Sequence, residues 1–296
     1  MKKNRELPVY TIGTFRKVSE ENQFYIRRLD HHIGEFSFTH APHRHDNYLI
    51  LILTQGTGTH MIDFVDYAAK PFTAYFLSPG QVHAWQFSGD AKGFVIFFTL
   101  SFYKVDKRQR DLSVFPFFHT MNAPCVYMDQ QRETVLLTLL EEMMKESNAQ
   151  LQGSEELLRN CLEIIMIRMM RYFEGEQVTP VSTSVSARVR QFETLVDKHF
   201  LLLRLPRDYA DKMNITSKHL NDISKMALNK TATEIIHERL VLEAKRELAY
   251  STLTTKQLAD KLGFNDKSYF IRFVKKHLGE TPEHFREKHS LVHHHP

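Results

Sequence analysis

The chain repeats itself once, and the repeat limits what its last third can fold into. "YADKMNITSKHLNDISKMALNKTATEII" (Tyr209–Ile236) lines up with "LADKLGFNDKSYFIRFVKKHLGETPEHFR" (Leu258–Arg286). "ADK" recurs at Ala210 and Ala259. Beyond one extra residue in the second turn, Lys225, Leu228 and Thr231 match Lys275, Leu278 and Thr281. Two copies make a tandem duplication, not a solenoid. Each copy must then fold as the same small helical unit, and the spacing predicts a helix-turn-helix. The first helix carries a small residue, Ala210 or Ala259, where a second helix comes close. In the second turn Gly263 is free to take a positive φ. The next helix opens at Thr216/Ser217 or Asn265/Asp266, whose side chains can accept from unpaired backbone N–H groups.

Within that next helix, Leu220 and Ile223, or Tyr269, Phe270 and Phe273, are expected to pack inward. Lys218 and Asn221, or Lys267, Ser268 and Arg272, are then left outward. Lys, Asn, Ser and Arg are the side chains that read base edges and grip phosphates. The two units are joined by "TATEIIHERLVLEAKRELAYS", which is helical in pattern. Such a helix can hold both outward faces in successive major-groove segments, about 34 Å apart on one side of a duplex. The competing reading is a plain helical bundle with a solvated basic face; the duplication favours DNA.

Charge agrees with that preference. The chain carries a net charge of +4. From Arg188 to Val292 there are 20 Lys/Arg against 14 Asp/Glu, whereas the remainder is slightly acidic, with 19 basic and 21 acidic residues. A basic C-terminal third on an acidic body suits a domain that meets a polyanion.

Ahead of it the texture differs. From about Phe36 to Leu100, "LILILT", "TAYFLS", "HAWQF" and "GFVIFFTL" alternate with the turn-like "QGTG", "SPGQ" and "SGDAKG". Short strands without intervening helices predict an antiparallel barrel or jelly roll. After Asp129, "QQRETVLLTLLEEMMKES" and "SEELLRNCLEIIMIRMMRYF" have apolar residues at helical spacing. The second presents Leu157, Leu158, Cys161, Ile164, Ile165, Ile167 and Met169, a face broad enough for packing on the barrel and for a dimer contact. "EGEQVTPVSTSVS" (Glu174–Ser186) is polar and carries Pro180, as a linker would. The expected layout is a multidomain chain. An all-β domain with two helices spans residues 1–175, a linker 176–187, and an all-α domain 188–292 with helix-turn-helix units at about 207–226 and 255–277.

The stretch "PHRHDNYLIL" (Pro42–Leu51) raises a separate question. On a strand, His43 and His45 share a face, and two converging imidazoles can begin a metal site. The rest of the sequence is quieter. No apolar run approaches the roughly 18 residues of a membrane span. The opening "MKKNRELPVY" lacks the apolar segment of a secretory signal, so a cytoplasmic protein is expected. Cys125 and Cys161 read as isolated core thiols. His293–His295, at the end of the chain, read as a tag remnant.

"IHERLVLEAKRELAYSTLTTKQLADKLGFNDKSYFIRFVKKHLGETPEHFR" resembles the DNA-binding domain of the AraC/XylS family of bacterial transcription regulators. The family's signature elements stand here as Ala259, Leu262-Gly263-Phe264, Asp266, Ser268-Tyr269-Phe270, Arg272-Phe273, Lys275-Lys276, Gly279, Thr281-Pro282 and Phe285-Arg286. By position, the resemblance implies Ser217, Lys218, Asn221 and Asp222 in the first unit, and Lys267, Ser268, Ile271 and Arg272 in the second, as DNA-facing residues. Two departures stand out: Asp222 falls where a basic or neutral reader is usual, and Ser224 where a buried Phe is common. A carboxylate repels phosphate but accepts from cytosine N4.

The same resemblance implies a cupin-like jelly roll as the sensor, with "PHRHDNYLILILTQGTGTHMID" similar to the first cupin motif and "LSPGQVHAW" to the second. His83 thereby joins His43 and His45. Metal-binding cupins place a carboxylate a few residues after the paired histidines, and here that position is about Leu49. No metal or other cofactor is therefore expected, although three histidines alone can hold zinc. His43, His45, His83 and Trp85 are instead expected to orient an unknown small-molecule effector. The implied protein is a homodimeric regulator of double-stranded DNA, an activator partnering RNA polymerase, with no enzymatic activity. The alternatives are a metal-dependent cupin enzyme fused to a DNA-binding domain, and a DNA-binding protein without effector.

Overall fold

A computed structural model describes residues 7–15, 23–105, 111–119, 122–128, 134–175 and 183–289. The chain divides into two compact units, Pro8–Pro180 and a second from Val181 onward.

The first unit runs β1 (Val9–Tyr10), α1 (Ile12–Phe15), β2 (Phe24–Arg28), α2 (Leu29–Glu35), β3 (Arg44–His45), β4 (Tyr48–Gln55), β5 (Gly58–Ile62), β6 (Val65–Ala69), β7 (Thr73–Leu77), β8 (His83–Phe87), β9 (Lys92–Phe98), α3 (Leu100–Tyr103), β10 (Cys125–Tyr127), α4 (Thr134–Ala149) and α5 (Ser154–Gly175). Five strands form an antiparallel sheet in the order β10-β7-β4-β9-β2, three form another in the order β6-β5-β8, and β1 pairs in parallel with β3. Strands were expected only between about Phe36 and Leu100. The structure adds β1 and β2 before that span and β10 after it.

The unbroken apolar run in β4 follows from burial on both faces of the larger sheet. Leu49, Leu51 and Leu53 face the smaller sheet and pack with Val95, Phe97, Ile62 and Trp85. Ile50 and Ile52 point the other way, with Phe94, Ile96 and Phe98, onto α4 and α5. Those helices supply Leu136, Leu140, Met143, Leu158, Leu162, Ile165, Met166 and Met169 to the same cluster. Alternation of period two thus sorts one strand between two cores. On α5, Leu157 and Ile164 escape that packing and stay 42% and 43% exposed. Both cysteines are buried, and neither is in a disulfide.

The second unit is helical throughout: α6 (Thr183–His199), α7 (Pro206–Lys212), α8 (Ser217–Leu228), α9 (Ala232–Tyr250), α10 (Thr255–Lys261), α11 (Lys267–Leu278) and α12 (Pro282–His289). The expected linker extends too far at its C-terminal end, because α6 already begins at Thr183. Buried Val189, Phe192 and Val196 continue a helical stripe that the Ser/Thr-rich start concealed. Residues 176–182 of the linker lie outside the described residues.

Helix α9 is the axis of this unit. A capping box between Thr231 and Glu234 starts it. Along its length Arg239 pairs with Asp197 at 2.8 Å and with Glu243 at 3.1 Å, and Arg246 pairs with Glu243 at 3.0 Å. Arg246 is buried, and the Glu243 carboxylate offsets its charge there. Among the described residues, no helix is long and apolar enough to cross a membrane.

Candidate functional site

The repeat detected in the sequence becomes two equivalent helix-turn-helix units. In each, the residue closing the turn takes the left-handed conformation: Asn214 at φ 52° and Gly263 at φ 74°. Ile215 then donates to the Ala210 carbonyl at 3.0 Å, and Phe264 to that of Ala259 at 2.8 Å. Gly263 is confined as well as twisted, since a Cβ there would stand 2.8 Å from the Leu201 carbonyl oxygen. The following helices are capped as the sequence suggests. Thr216 Oγ1 accepts from the His219 N–H at 3.1 Å, and Asp266 Oδ1 from the Tyr269 N–H at 2.7 Å.

Helices α8 and α11 have 12 residues each, so their positions correspond one to one. Leu220 and Ile223 are buried, as are their counterparts Phe270 and Phe273. Lys218, Asp222, Lys267, Ser268 and Arg272 are exposed on the outer face, while Ser217 and Ile271 are partly covered. Two residues depart from the expected pattern. Tyr269 was expected inward but is 55% exposed, because it corresponds to the exposed His219; its ring meets Phe264 at a tilt, 5.7 Å between ring centroids. Asn221 points partly inward: its Oδ1 accepts from the Ala232 N–H at 3.0 Å, tying α8 to the start of α9. Ser224, buried, donates to the Leu220 carbonyl at 2.7 Å, which satisfies the hydroxyl where an apolar residue is usual.

In the first unit the three anticipated histidines meet. His43 and His83 face each other across an antiparallel bridge, each backbone N–H donating to the other's carbonyl at 3.0 Å. One ring nitrogen from each of His43, His45 and His83 lies within 4.8 Å of the others. His43 Nε2 and His45 Nε2 are 3.1 Å apart. The stretch before His83 is pinned by Asp63, whose carboxylate accepts from Gln81 Nε2 at 2.9 Å and from the Val82 N–H at 3.1 Å. Trp85 lies over the cluster, 5.2 Å from His83 and 5.9 Å from His43 between ring centroids, and is fully buried.

Two further histidines share this interior. His60, on β5 opposite Trp85, holds its Nε2 3.0 Å from His83 Nδ1. His32 Nδ1 is 3.1 Å from the Tyr25 hydroxyl. Alternation in "GTHMI" could have identified His60, which shares a face with the buried Ile62 while Met61 turns outward. Nothing local marks His32, which α2 brings in. Burial disfavours the charged form throughout: His43 is held down to about 4, His32 and His60 to about 3, and His45 and His83 well below the ordinary range. Leu49, the position of the missing carboxylate, is buried in the apolar cluster beside Trp85 and Phe97.

A β-sandwich enclosing polar side chains, with a basic tandem helix-turn-helix unit, defines a two-domain DNA-binding regulator. Comparison with known proteins specifies the family. Residues 29–162 match the AraC-like ligand binding domain, and residues 209–288 match a helix-turn-helix domain. The HTH-type transcriptional activator RhaS of Yersinia pestis bv. Antiqua (strain Angola) is 21% identical over 281 residues, spanning 87% of this chain and 98% of that protein. The probable transcription factor PqrA of Proteus vulgaris is 32% identical over 82 residues, covering 28% of this chain and 67% of PqrA. The crystal structure of unsaturated fatty acid bound ToxT from Vibrio cholerae strain SCE256 matches at 12% identity and a TM-score of 0.42, over 91% of this chain and 97% of that one. The chain belongs to the AraC family of transcription regulators, with a ligand-binding domain ahead of a DNA-binding helix-turn-helix domain.

Proposed function

We propose that this regulator is a cytoplasmic, non-enzymatic transcription activator that binds duplex DNA as a homodimer. The observation that carries this reading is the matched pair α8 and α11, two capped helices of equal length with polar outer faces. Lys218, Asp222, Lys267, Ser268 and Arg272 make the DNA contacts, with Ser217 and Ile271 at their margins. Asn221 serves by holding α8 against α9 more than by reading a base. RhaS, named as an activator, supports the sign of regulation; the partner of an activator here would be RNA polymerase. The exposed Leu157 and Ile164 on α5 suit a second copy of the chain.

Within the first unit, His43, His45, His83 and Trp85 are the effector contacts. Two of their polar atoms, His83 Nε2 and Trp85 Nε1, are buried without a partner among the described residues. Unsatisfied buried polar groups are rare and call for an occupant. A bound ligand shifts the pose of the N-terminal segment or of α4 and α5, and so changes which half-sites the two copies reach together.

Selection from a randomised duplex library with the full chain tests the DNA assignment. Enriched sequences should hold two recognition segments about 34 Å apart on one face of the helix. Enrichment of no sequence at all would overturn it.

A further inference from the structure

We propose that His43, His45 and His83 bind a first-row divalent transition-metal ion through their ring nitrogens, within the sensing site assigned above, so that the proposal rests on that reading.

The hydrogen-bond partners of the rings fix where their protons sit. His43 Nδ1 is 2.8 Å from the Ala41 carbonyl oxygen, and His45 Nδ1 is 3.3 Å from that of Tyr10. A carbonyl oxygen only accepts, so in each ring the proton is on Nδ1 and the lone pair on Nε2. Those two Nε2 atoms then face each other at 3.1 Å with no hydrogen between them. Two lone pairs at that distance repel unless something electron-poor lies beside both. An added proton is one remedy, but burial of both rings opposes a charged imidazole. A Lewis acid is the other.

His83 completes the set. Its Nδ1 is engaged by His60 Nε2 at 3.0 Å, and its Nε2 is the nitrogen left without a partner among the described residues. Each of the three rings therefore has its far nitrogen held by a second group: Ala41, Tyr10 or His60. Metal-binding histidines are oriented in this way almost without exception. Nitrogen ligands about 2.0–2.1 Å from a tetrahedral ion stand roughly 3.3 Å from one another. The His43–His45 spacing of 3.1 Å already meets that requirement. The widest separation, 4.8 Å, leaves one ring to swing inward.

Donor chemistry selects the ion. Three neutral imidazoles suit Zn²⁺, Co²⁺, Ni²⁺ or Cu²⁺, whereas Mg²⁺ and Ca²⁺ require oxygen ligands. Leu49 contributes no carboxylate, so the bound dication keeps its full charge in an apolar surround. That charge, with an open fourth position, draws an anionic ligand.

The single tryptophan of the chain, Trp85, reports on the site directly. Full-length protein, stripped with chelator, is titrated with Co²⁺ and followed by its visible absorption and by Trp85 fluorescence; Zn²⁺ then displaces the Co²⁺. The expected result is an intense tetrahedral-type spectrum and quenched fluorescence, saturating at one ion per chain. His43→Ala and His45→Ala should each abolish both signals, while any Co²⁺ held by the terminal histidines remains in the variants. His60→Phe leaves all three ligands in place and should weaken affinity by about 10- to 100-fold. A wild-type chain giving neither signal would overturn the proposal, even if one variant misfolds; a metabolite that still raised the melting temperature through this domain would leave the effector reading standing. Stoichiometric Co²⁺ binding without any change in DNA affinity would support the metal site and overturn its sensing role.

Discussion

Replacing Arg272 with alanine separates DNA recognition from folding. Arg272 lies on the outer face of α11, exposed, with no ion pair or hydrogen bond to any described residue. Its removal leaves no buried group unpaired, and alanine is the stronger helix former by a few tenths of a kcal/mol. Stability should therefore stay within about 0.5 kcal/mol of the parent. Binding should behave differently. A guanidinium bonded bidentately to a guanine edge contributes about 1–3 kcal/mol of discrimination, or roughly 5- to 160-fold in Kd. The assay is fluorescence anisotropy on a library-selected duplex and a scrambled one, at several salt concentrations. The selected duplex should lose most of that affinity and the scrambled one far less. If Arg272 only gripped a phosphate, both would weaken alike and the salt dependence would shallow by about 0.9 in log–log slope. That outcome, or unchanged affinity for the selected duplex, refutes the placement of Arg272 on a base edge.

Three other perturbations probe particular contacts. Asn221→Ala removes the acceptor for the Ala232 N–H. It should cost roughly 0.5–2 kcal/mol in urea unfolding while preserving the ratio of specific to non-specific affinity; a changed ratio at unchanged stability would make Asn221 a base reader. Glu243→Ala takes the shared carboxylate from Arg239 and the buried Arg246. A loss of about 3–5 kcal/mol is expected, and calorimetry showing less than about 1 kcal/mol would contradict the role given to this pair. In metal-free protein, the first unit should weaken as pH falls from about 6.5 toward 4. His32 and His60 are held to about 3 when folded but take protons near 6.5 when unfolded. The unfolded state then binds more protons in that window, so stability drops with pH by roughly 2 kcal/mol per histidine at pH 5. Urea unfolding monitored at Trp85 measures this, and a flat profile between pH 7 and pH 5 would show that the imidazoles are not buried as described.

How far the sequence could be read depended on whether a feature is set by local or distant neighbours. The helix-turn-helix units were legible because capping residues, the Gly263 turn and the apolar stripe all lie within one short segment. Burial of Phe270 and Phe273 followed from the same periodicity. Tyr269 did not, because an aromatic residue near a helix start can lean on a neighbouring ring and still remain half in solvent. The bond made by Asn221 was hidden for a different reason: its partner is on α9, eleven residues on, and no outward-facing pattern reveals such a bond. In the barrel, His43, His45 and His83 were found from motif spacing. The Nδ1 partners that give them chemical meaning come from Tyr10, Ala41 and His60, on segments that meet only after strand pairing.

The two recognition helices, alike in geometry, differ in charge. Over four matched outer positions, α8 presents Ser217, Lys218, Asp222 and Lys225, and α11 presents Lys267, Ser268, Arg272 and Lys275. The first set carries one net positive charge and the second three. Phosphate affinity rises with each cation that displaces a counterion, so under the proposed assignment α11 would supply more of the electrostatic hold than α8. Asp222 occupies the position equivalent to Arg272. A carboxylate there weakens every non-specific encounter and is compensated only where a cytosine N4 donor faces it. On the proposed assignment of these helices to the grooves, the first unit would raise specificity by excluding sites while the second holds the duplex.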